Sequence, residues 1–262
     1  MTRPLLAMIM AVLLLSGPSK PALADNTQNN QQLEARLEAW PAWSDPAPLP
    51  RPRAKQDLVY PDWVEGLWEV ESLDLLADGT VNINVPPLQH LAQFQRNQHD
   101  DVVGNRPFNA RAVGQALLGE QLISVEQAPH QVNRQLARLS DDRLLETTVI
   151  GRQQTSINAA AFLSDELVLQ VMHGARAPRL SRIETLSRYQ PCPDVPTAEI
   201  INRICVEQWQ QTYPAPGEAS TSFMQRASRY KLTLTRLQDL AETREPPADR
   251  AIQTMAEGGD DH

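Results

Sequence analysis

Trp63-Val64-Glu65-Gly66-Leu67-Trp68-Glu69-Val70 constrains the fold more than any other stretch of this chain. It sets a Gly-x-Trp unit at the mouth of a β-strand, shortly after a Pro-rich lead-in. A glycine there lets the backbone bend or approach a neighbour closely. An indole two residues on can close one end of a small antiparallel barrel. The segment speaks for a fold and carries no catalytic spacing.

The N-terminus reads as a processing signal. Met1-Thr2-Arg3-Pro4 is short and positive, Leu5 to Leu15 is apolar throughout, and Ala22-Leu23-Ala24 supplies small residues where a signal peptidase reads. These features predict a cleaved secretory signal with a mature chain from Asp25. The apolar run is too short to span a hydrocarbon core of about 30 Å as a helix. With no twin-arginine pair and no cysteine at the cleavage site, the expected route is Sec and the product is not a lipoprotein. Removing 24 of 262 residues leaves 238, which suits a single barrel domain.

The formal charge of −8 is unevenly spread. Residues 239–262 hold seven acids and two arginines, with Pro246-Pro247, Gly258-Gly259 and few large apolar residues, so this acidic tail reads as disordered. The remaining body is only mildly acidic and shows no basic stripe. Nucleic-acid binding is disfavoured, because neutralising phosphates needs clustered cations.

Cys192 and Cys205 are the two cysteines. In an oxidising compartment two nearby thiols pair, so a structural disulfide is expected, worth roughly 3 kcal/mol through restriction of the unfolded chain. A free pair or a redox switch are the other readings. No histidine lies near either cysteine, which argues against a metal site.

Leu33, Leu37 and Trp40 fall at helical spacing, and Pro41 to Arg53 holds five prolines. Residues 25–56 therefore read as a short helix and a stiff Pro-rich linker, with the folded body at 57–238. Gly66 to Leu73 is the first strand, Asp78-Gly79 a turn, and Val81 to Val85 and Leu88 to Arg96 further strands. Asn97 to Gly104 is polar and turn-like. Val113, Leu117 and Leu118 recur at helical intervals, with Gly119 placed to end a helix. Leu122 to Gln127, Val132 to Leu139 and Leu144 to Ile150 read as strands, with Asp141-Asp142 as a tight turn. Phe162 to Met172 is either strand or helix, since periodicity does not separate them. Arg182 to Tyr189, Ile204 to Tyr213 and the alternating Tyr230 to Thr235 complete the pattern. The expectation is a mainly β protein: an antiparallel barrel or sandwich of about 8–10 strands with one or two short helices.

Several of these segments together resemble a known family. They are Tyr60-Pro61-Asp62-Trp63-x-x-Gly66-x-Trp68-Glu69-Val70, Arg106-Pro107-Phe108-Asn109, Asn133-Arg134-Gln135 and Thr148-x-x-Gly151-Arg152. Over Leu58 to Leu237 the chain resembles a cyanobacterial and plastid domain of unknown function, usually exported to the thylakoid lumen. The resemblance implies a lipocalin-like barrel. In that fold Gly66-x-Trp68 is the first-strand motif, and Arg236 on the last strand packs over the Trp68 indole. It implies a soluble protein in the thylakoid lumen or periplasm. The family has no established activity, so no catalytic residue carries over.

Catalytic and metal signals are weak. His90, His99, His130, His173 and His262 form no metal spacing, and His99-Asp100-Asp101 reads as a solvated turn. There is no Gly-x-Ser-x-Gly, no phosphate-cradling loop and no dinucleotide fingerprint. Ser164-Asp165-Glu166 carries a hydroxyl and acids with no base nearby in sequence. Arg134, Arg138, Arg143 and Arg152 read as a solvated sheet face paired with Glu146. No cofactor and no metal are expected.

Two classes of function remain, with a third beside them. The first is a non-enzymatic barrel that binds a small apolar ligand, a lipid or pigment, or an assembly partner. The second is a lipocalin-fold enzyme in which a barrel carboxylate and tyrosine, among Glu69, Glu207 and Tyr230, act on a lipid or pigment; both groups would have to point inward. The third is a structural partner of a photosynthetic membrane complex, suggested by the Pro-rich arm and acidic tail. Fold alone does not choose among them.

Overall fold

A computed structural model of the chain describes residues 22–159, 161–193, 201–215 and 226–237. Residues 1–21 of the expected signal and the acidic tail lie outside them. Eleven antiparallel strands form one sheet. The first five are β1 (Val59–Tyr60), β2 (Gly66–Leu75), β3 (Leu88–Arg96), β4 (Val102–Gly104) and β5 (Leu122–Gln127). Then come β6 (Arg134–Leu139), β7 (Arg143–Gln154), β8 (Phe162–His173), β9 (Arg179–Pro191), β10 (Arg203–Pro214) and β11 (Arg226–Arg236). Their order across the sheet is β1-β4-β3-β2-β11-β10-β9-β8-β7-β6-β5. From β5 to β11 each strand simply pairs with the next, and β11 returns to β2 (Leu234 opposite Val70, Arg236 opposite Trp68).

The sheet curls on itself. Tyr60 on edge strand β1 meets Phe162 on β8 and Tyr189 on β9, with centroids 5.5 and 5.7 Å apart, and Phe94 on β3 at 4.8 Å. Strands so far apart in the sheet order touch only across a concave face. The ladder does not close: β1 and β5 are the ends of the sheet and do not pair. Helix α2 (Arg106–Leu118) packs against β3 and β5 and lies across the open seam. The structure is thus a half-barrel with a helix in its gap, where sequence reasoning expected a closed barrel of fewer strands. The Asn105 side chain accepts a hydrogen bond from Phe108 N, Pro107 sits in the first turn, and Gly119 ends the helix at φ 54°.

Phe162 to His173 is strand, which resolves the ambiguity left by periodicity. Val81 to Val85 is not strand, although it alternates. The Asn82 side chain accepts from Asn84 N, Val85 N bonds back to Asn82 O, and Pro86-Pro87 follow. The Asn82 side chain competes for the backbone and turns this run into a loop, with a single bridge from Val81 to Leu75. Asp141 and Asp142 both have positive φ, as a primed two-residue hairpin requires.

One end of the half-barrel is closed by an apolar cluster that includes Val64, Trp68, Val70, Phe94, Ile204, Val206 and Leu234. Trp68 is fully buried and donates from Nε1 to Val64 O at 2.8 Å. The Arg236 guanidinium lies 4.3 Å from the Trp68 ring centroid and donates from Nε to Ile201 O and from Nη1 to Glu65 O. Gly66 has φ 134°, a left-handed conformation, and a Cβ there would overlap the Arg236 guanidinium. Near this end Cys192 and Cys205 form a disulfide, with Cα atoms 4.9 Å apart.

The convex face is also covered. Helix α1 (Ala22–Glu38) and the extended residues 39–56 pack on it rather than standing off as a spacer. Leu33 and Trp43 join Leu163, Leu186, Trp209 and Tyr213 in a second apolar cluster. Arg152 N donates to Pro50 O, and Leu49 presses on Gly151, where a Cβ would sit 2.8 Å from its own. A side chain at Gly151 would push this strap away. Among the described residues no helix is long and apolar enough to cross a membrane.

Candidate functional site

Two polar clusters stand out, one on each face. The concave one draws together segments far apart in sequence. Arg106 opens α2 and donates from Nε to Asp57 at 2.7 Å and from Nη2 to Glu166 at 2.9 Å. Arg152 on β7 donates from Nε to Glu166 at 2.7 Å, from Nη1 to Gln56 O at 2.9 Å and from Nη2 to Asn133 at 2.6 Å. Asn133 in turn donates to Arg53 O and Gln56 O. Burial acts to raise the Glu166 pKa, but Arg106 and Arg152 outweigh it and hold the carboxylate below its ordinary value. Two arginines face two carboxylates, so the cluster is charge-balanced. It ties α2, the lead-in, β7 and β8 together, and an ionised, saturated Glu166 has no role as a base.

Arg106, Asn133 and Gly151-Arg152 come from three different segments that sequence reading had only noted side by side. Arg152 points into the concave side, away from the solvated patch expected for it, while Arg134 pairs with Glu146 at 2.9 Å on the outer face. A cavity of about 340 Å³ lies beside this cluster under α2, lined by Tyr60, Arg106, Asn109 and Gln135 among others. Asn109 is already spent on the Gln93 backbone, through both its oxygen and its nitrogen. The concave wall further along is polar: Gln208 donates to Ser187 and Gln210 to Thr185 across β10 and β9.

The convex cluster differs because it is not saturated. Asp165 on β8 and Glu184 on β9 are both fully buried beneath the strap. Glu184 is well supplied. Arg36 of α1 donates to it from Nε at 2.7 Å and Nη2 at 2.8 Å, the Tyr213 hydroxyl donates at 2.8 Å, and Ala47 N at 3.0 Å. Asp165 has no such donor: neither carboxyl oxygen accepts a hydrogen bond among the described residues, and its proton is shared with the Glu184 carboxylate. Burial pushes the Asp165 carboxyl well above the usual carboxylate range, the Glu184 charge adds to the rise, and Arg36 opposes it. Burial and then Glu184 likewise raise the Tyr213 phenol.

Asp165 forms part of the wall of a larger cavity, about 600 Å³, lined chiefly by α1 and the extended segment and floored by the sheet. Leu33, Ala39, Pro46, Pro48 and Leu49 give it apolar walls, and Gln32, Arg36, Ser44, Asp45 and Gln153 give it polar ones. Its volume falls in the range of small-molecule sites. Asp165 has no accessible surface, so a bound molecule meets the carboxyl only if the strap shifts. Besides the salt bridge, the strap is held to the sheet by Gln153 to Gln32 at 2.8 Å, Arg188 to Glu34 at 2.8 Å, Arg152 N to Pro50 O and Val132 N to Ala54 O, and is braced internally by Trp43 Nε1 to Arg36 O at 2.7 Å.

A family model matches residues 52–238. The chain belongs to this family, described as a domain of unknown function, DUF6816. The match takes in the whole sheet, α2, Asp165, Glu184 and Tyr213, and leaves out α1 and residues 39–51, with Arg36 and Trp43 among them. Neither the curated proteins nor the solved structures contain a match to the chain.

The residues weighed as a barrel carboxylate and tyrosine are not brought together. Strand register puts Glu69 and Glu207 on the convex face and Tyr230 on the concave one, and Glu207 lies 3.6 Å from Arg229. His99, Asp100 and Asp101 form an exposed turn capped by the Asn97 side chain. No group of three or more metal-ligating side chains exists among the described residues. Sequence reasoning missed Arg36 and Glu184 altogether. The one available signal was a lone arginine on the apolar stripe of α1, which has to meet an acid when that stripe is buried.

Proposed function

We propose that this chain is an exported, non-catalytic binding protein that holds one small, largely apolar molecule on the outside of its half-barrel, beneath the N-terminal strap. One observation carries this reading: Asp165 is fully buried, accepts no hydrogen bond among the described residues, and helps wall a cavity of about 600 Å³. A buried polar group without a partner costs about 1–3 kcal/mol and calls for a reason. A ligand that completes its hydrogen bonds supplies one. With its proton directed at Glu184, a protonated Asp165 leaves its carbonyl oxygen to accept, so it suits a hydroxyl or amide N–H on an otherwise apolar body. A lipid or pigment fragment fits that description.

The polar concave wall and the balanced Arg106–Arg152–Glu166–Asp57 cluster favour this outer cavity over the barrel interior for an apolar guest. The Gly66, Trp68 and Arg236 arrangement supports kinship with lipocalins. The disulfide supports an oxidising compartment, the thylakoid lumen or the periplasm, reached by the Sec route in a cyanobacterial or plastid setting.

The test is to purify the protein from its native source, extract it with solvent and identify what is released by mass spectrometry. A stoichiometric small molecule that the Asp165→Leu variant retains at least tenfold less well supports the site. Extraction that yields nothing, or equal retention by the variant, removes it.

A further inference from the structure

The end of the half-barrel opposite Trp68 is built differently from the rest of the surface. Strand register gathers three features there: the β2–β3 loop, the β8–β9 hairpin and the start of β11. The loop carries four exposed aliphatic residues, Leu76, Val81, Ile83 and Val85, and Ile83 is 91% exposed. Large aliphatic side chains gathered on one protruding loop are unusual on a surface that faces only water. The loop is held in shape. Leu76 N bonds to Thr80 O, Gly79 N to Leu76 O, Asn82 N to Asp74 O and Val85 N to Asn82 O, at 2.8–3.1 Å. Ile83 is therefore presented outward by a hydrogen-bonded scaffold.

Exposed cations mark the same end of the sheet. Arg176 lies in the β8–β9 hairpin, Arg179 begins β9 and Arg226 begins β11, and all three are exposed. None has a carboxylate partner among the described residues. Acids share this end: Asp78, held ionised by two hydrogen bonds from Thr80, and Asp141, which lies 3.6 Å from Arg143. A chain of net charge −8 thus has, at this one end, arginines without a carboxylate partner among the described residues together with an exposed aliphatic loop.

We propose that this end docks on an anionic lipid surface, with Ile83 and its neighbours entering the interfacial layer and Arg176, Arg179 and Arg226 meeting lipid phosphates. A protruding aliphatic tip suits insertion better than it suits a protein groove. Cations spread over three separate elements match a continuous field of headgroups rather than one fixed acid. The docked end is remote from Trp68 and does not use the strap, so the proposal stands apart from the ligand reading above.

The test is flotation of the full chain with vesicles of phosphatidylcholine alone or with about a third of phosphatidylglycerol. Binding is expected only to the anionic vesicles, and it should fall as salt is raised. Ile83→Asp, and separately the joint reversal of Arg176, Arg179 and Arg226 to Glu, should each weaken it roughly tenfold or more. Thermal melting should be unchanged, because these side chains touch nothing in the core. No binding to anionic vesicles overturns the proposal. So does binding that survives both variants, which then belongs to another part of the chain, and so does equal binding to both vesicle types.

Discussion

Asp165 and Glu184 sit on neighbouring strands beneath the same strap, both without accessible surface, yet Arg36, Tyr213 and Ala47 all donate to Glu184 and none to Asp165. Two carboxyl groups in one dry site do not both ionise readily. The asymmetry of donors decides which one keeps its proton.

Stability should therefore fall as pH rises. The folded chain holds the Asp165 proton to a higher pH than the unfolded chain, whose aspartate titrates near about 3.9. The contribution is complete below that value and is lost progressively as pH rises toward the folded pKa, at about 1.4 kcal/mol per pH unit. Melting temperatures measured from pH 5 to pH 8 should decline, and Asp165→Asn should flatten the decline. An equal slope in the variant would show that another group is responsible.

Arg36→Met should release the strap. It leaves the Glu184 charge buried with only Tyr213 and Ala47 as donors, a loss of roughly 3–5 kcal/mol when one partner of a buried pair is removed. The Arg36 side chain keeps 19% exposure, which argues for the lower end of that range. Limited proteolysis should then cut within residues 39–56, and Trp43 emission should shift red. Arg36→Lys should rescue only in part, because a lysine cannot give the paired bonds to both carboxylate oxygens.

Gly66→Ala should destabilise by roughly 1–3 kcal/mol, since it combines a left-handed φ with overlap on the Arg236 guanidinium. Arg236→Met should lose the cation–π contact, about 0.5–2 kcal/mol, and leave the Ile201 and Glu65 carbonyls short of a donor. Denaturant melts of the two single variants and the double variant would show coupling. Additive losses would mean that the glycine and arginine act independently.

Reduction of the Cys192–Cys205 bridge should cost about 2–4 kcal/mol, read as a drop in the denaturant midpoint on adding a reductant. Alkylation of the untreated protein should modify neither cysteine, and modification of both would contradict the bridge.

Much of the sheet was legible because period-two patterns and turn residues are local. Leu88 to Arg96, the Asp141-Asp142 turn and the end of α2 at Gly119 followed from neighbours within a few positions. The seam between β1 and β5 was not legible, because nothing local says whether the first and last members of a sheet meet. The candidate site was hidden for a related reason. Ser164-Asp165-Glu166 read as one acidic run, yet a strand sends alternate side chains to opposite faces. Asp165 faces the strap and Glu166 faces the arginines, so one dipeptide supplies two unrelated environments. What Asp165 would lack could be known only once Arg36, in a segment more than a hundred residues earlier, had chosen Glu184.

The strap begins outside the residues matched by the family model, yet it shares an apolar cluster with the sheet. The cooperative unit is therefore longer than the recognisable one. A chain trimmed to residues 52–238 would turn Leu163, Leu186, Trp209 and Tyr213 toward water and leave Glu184 without its guanidinium. Its behaviour in solution would then report the missing lid rather than the barrel.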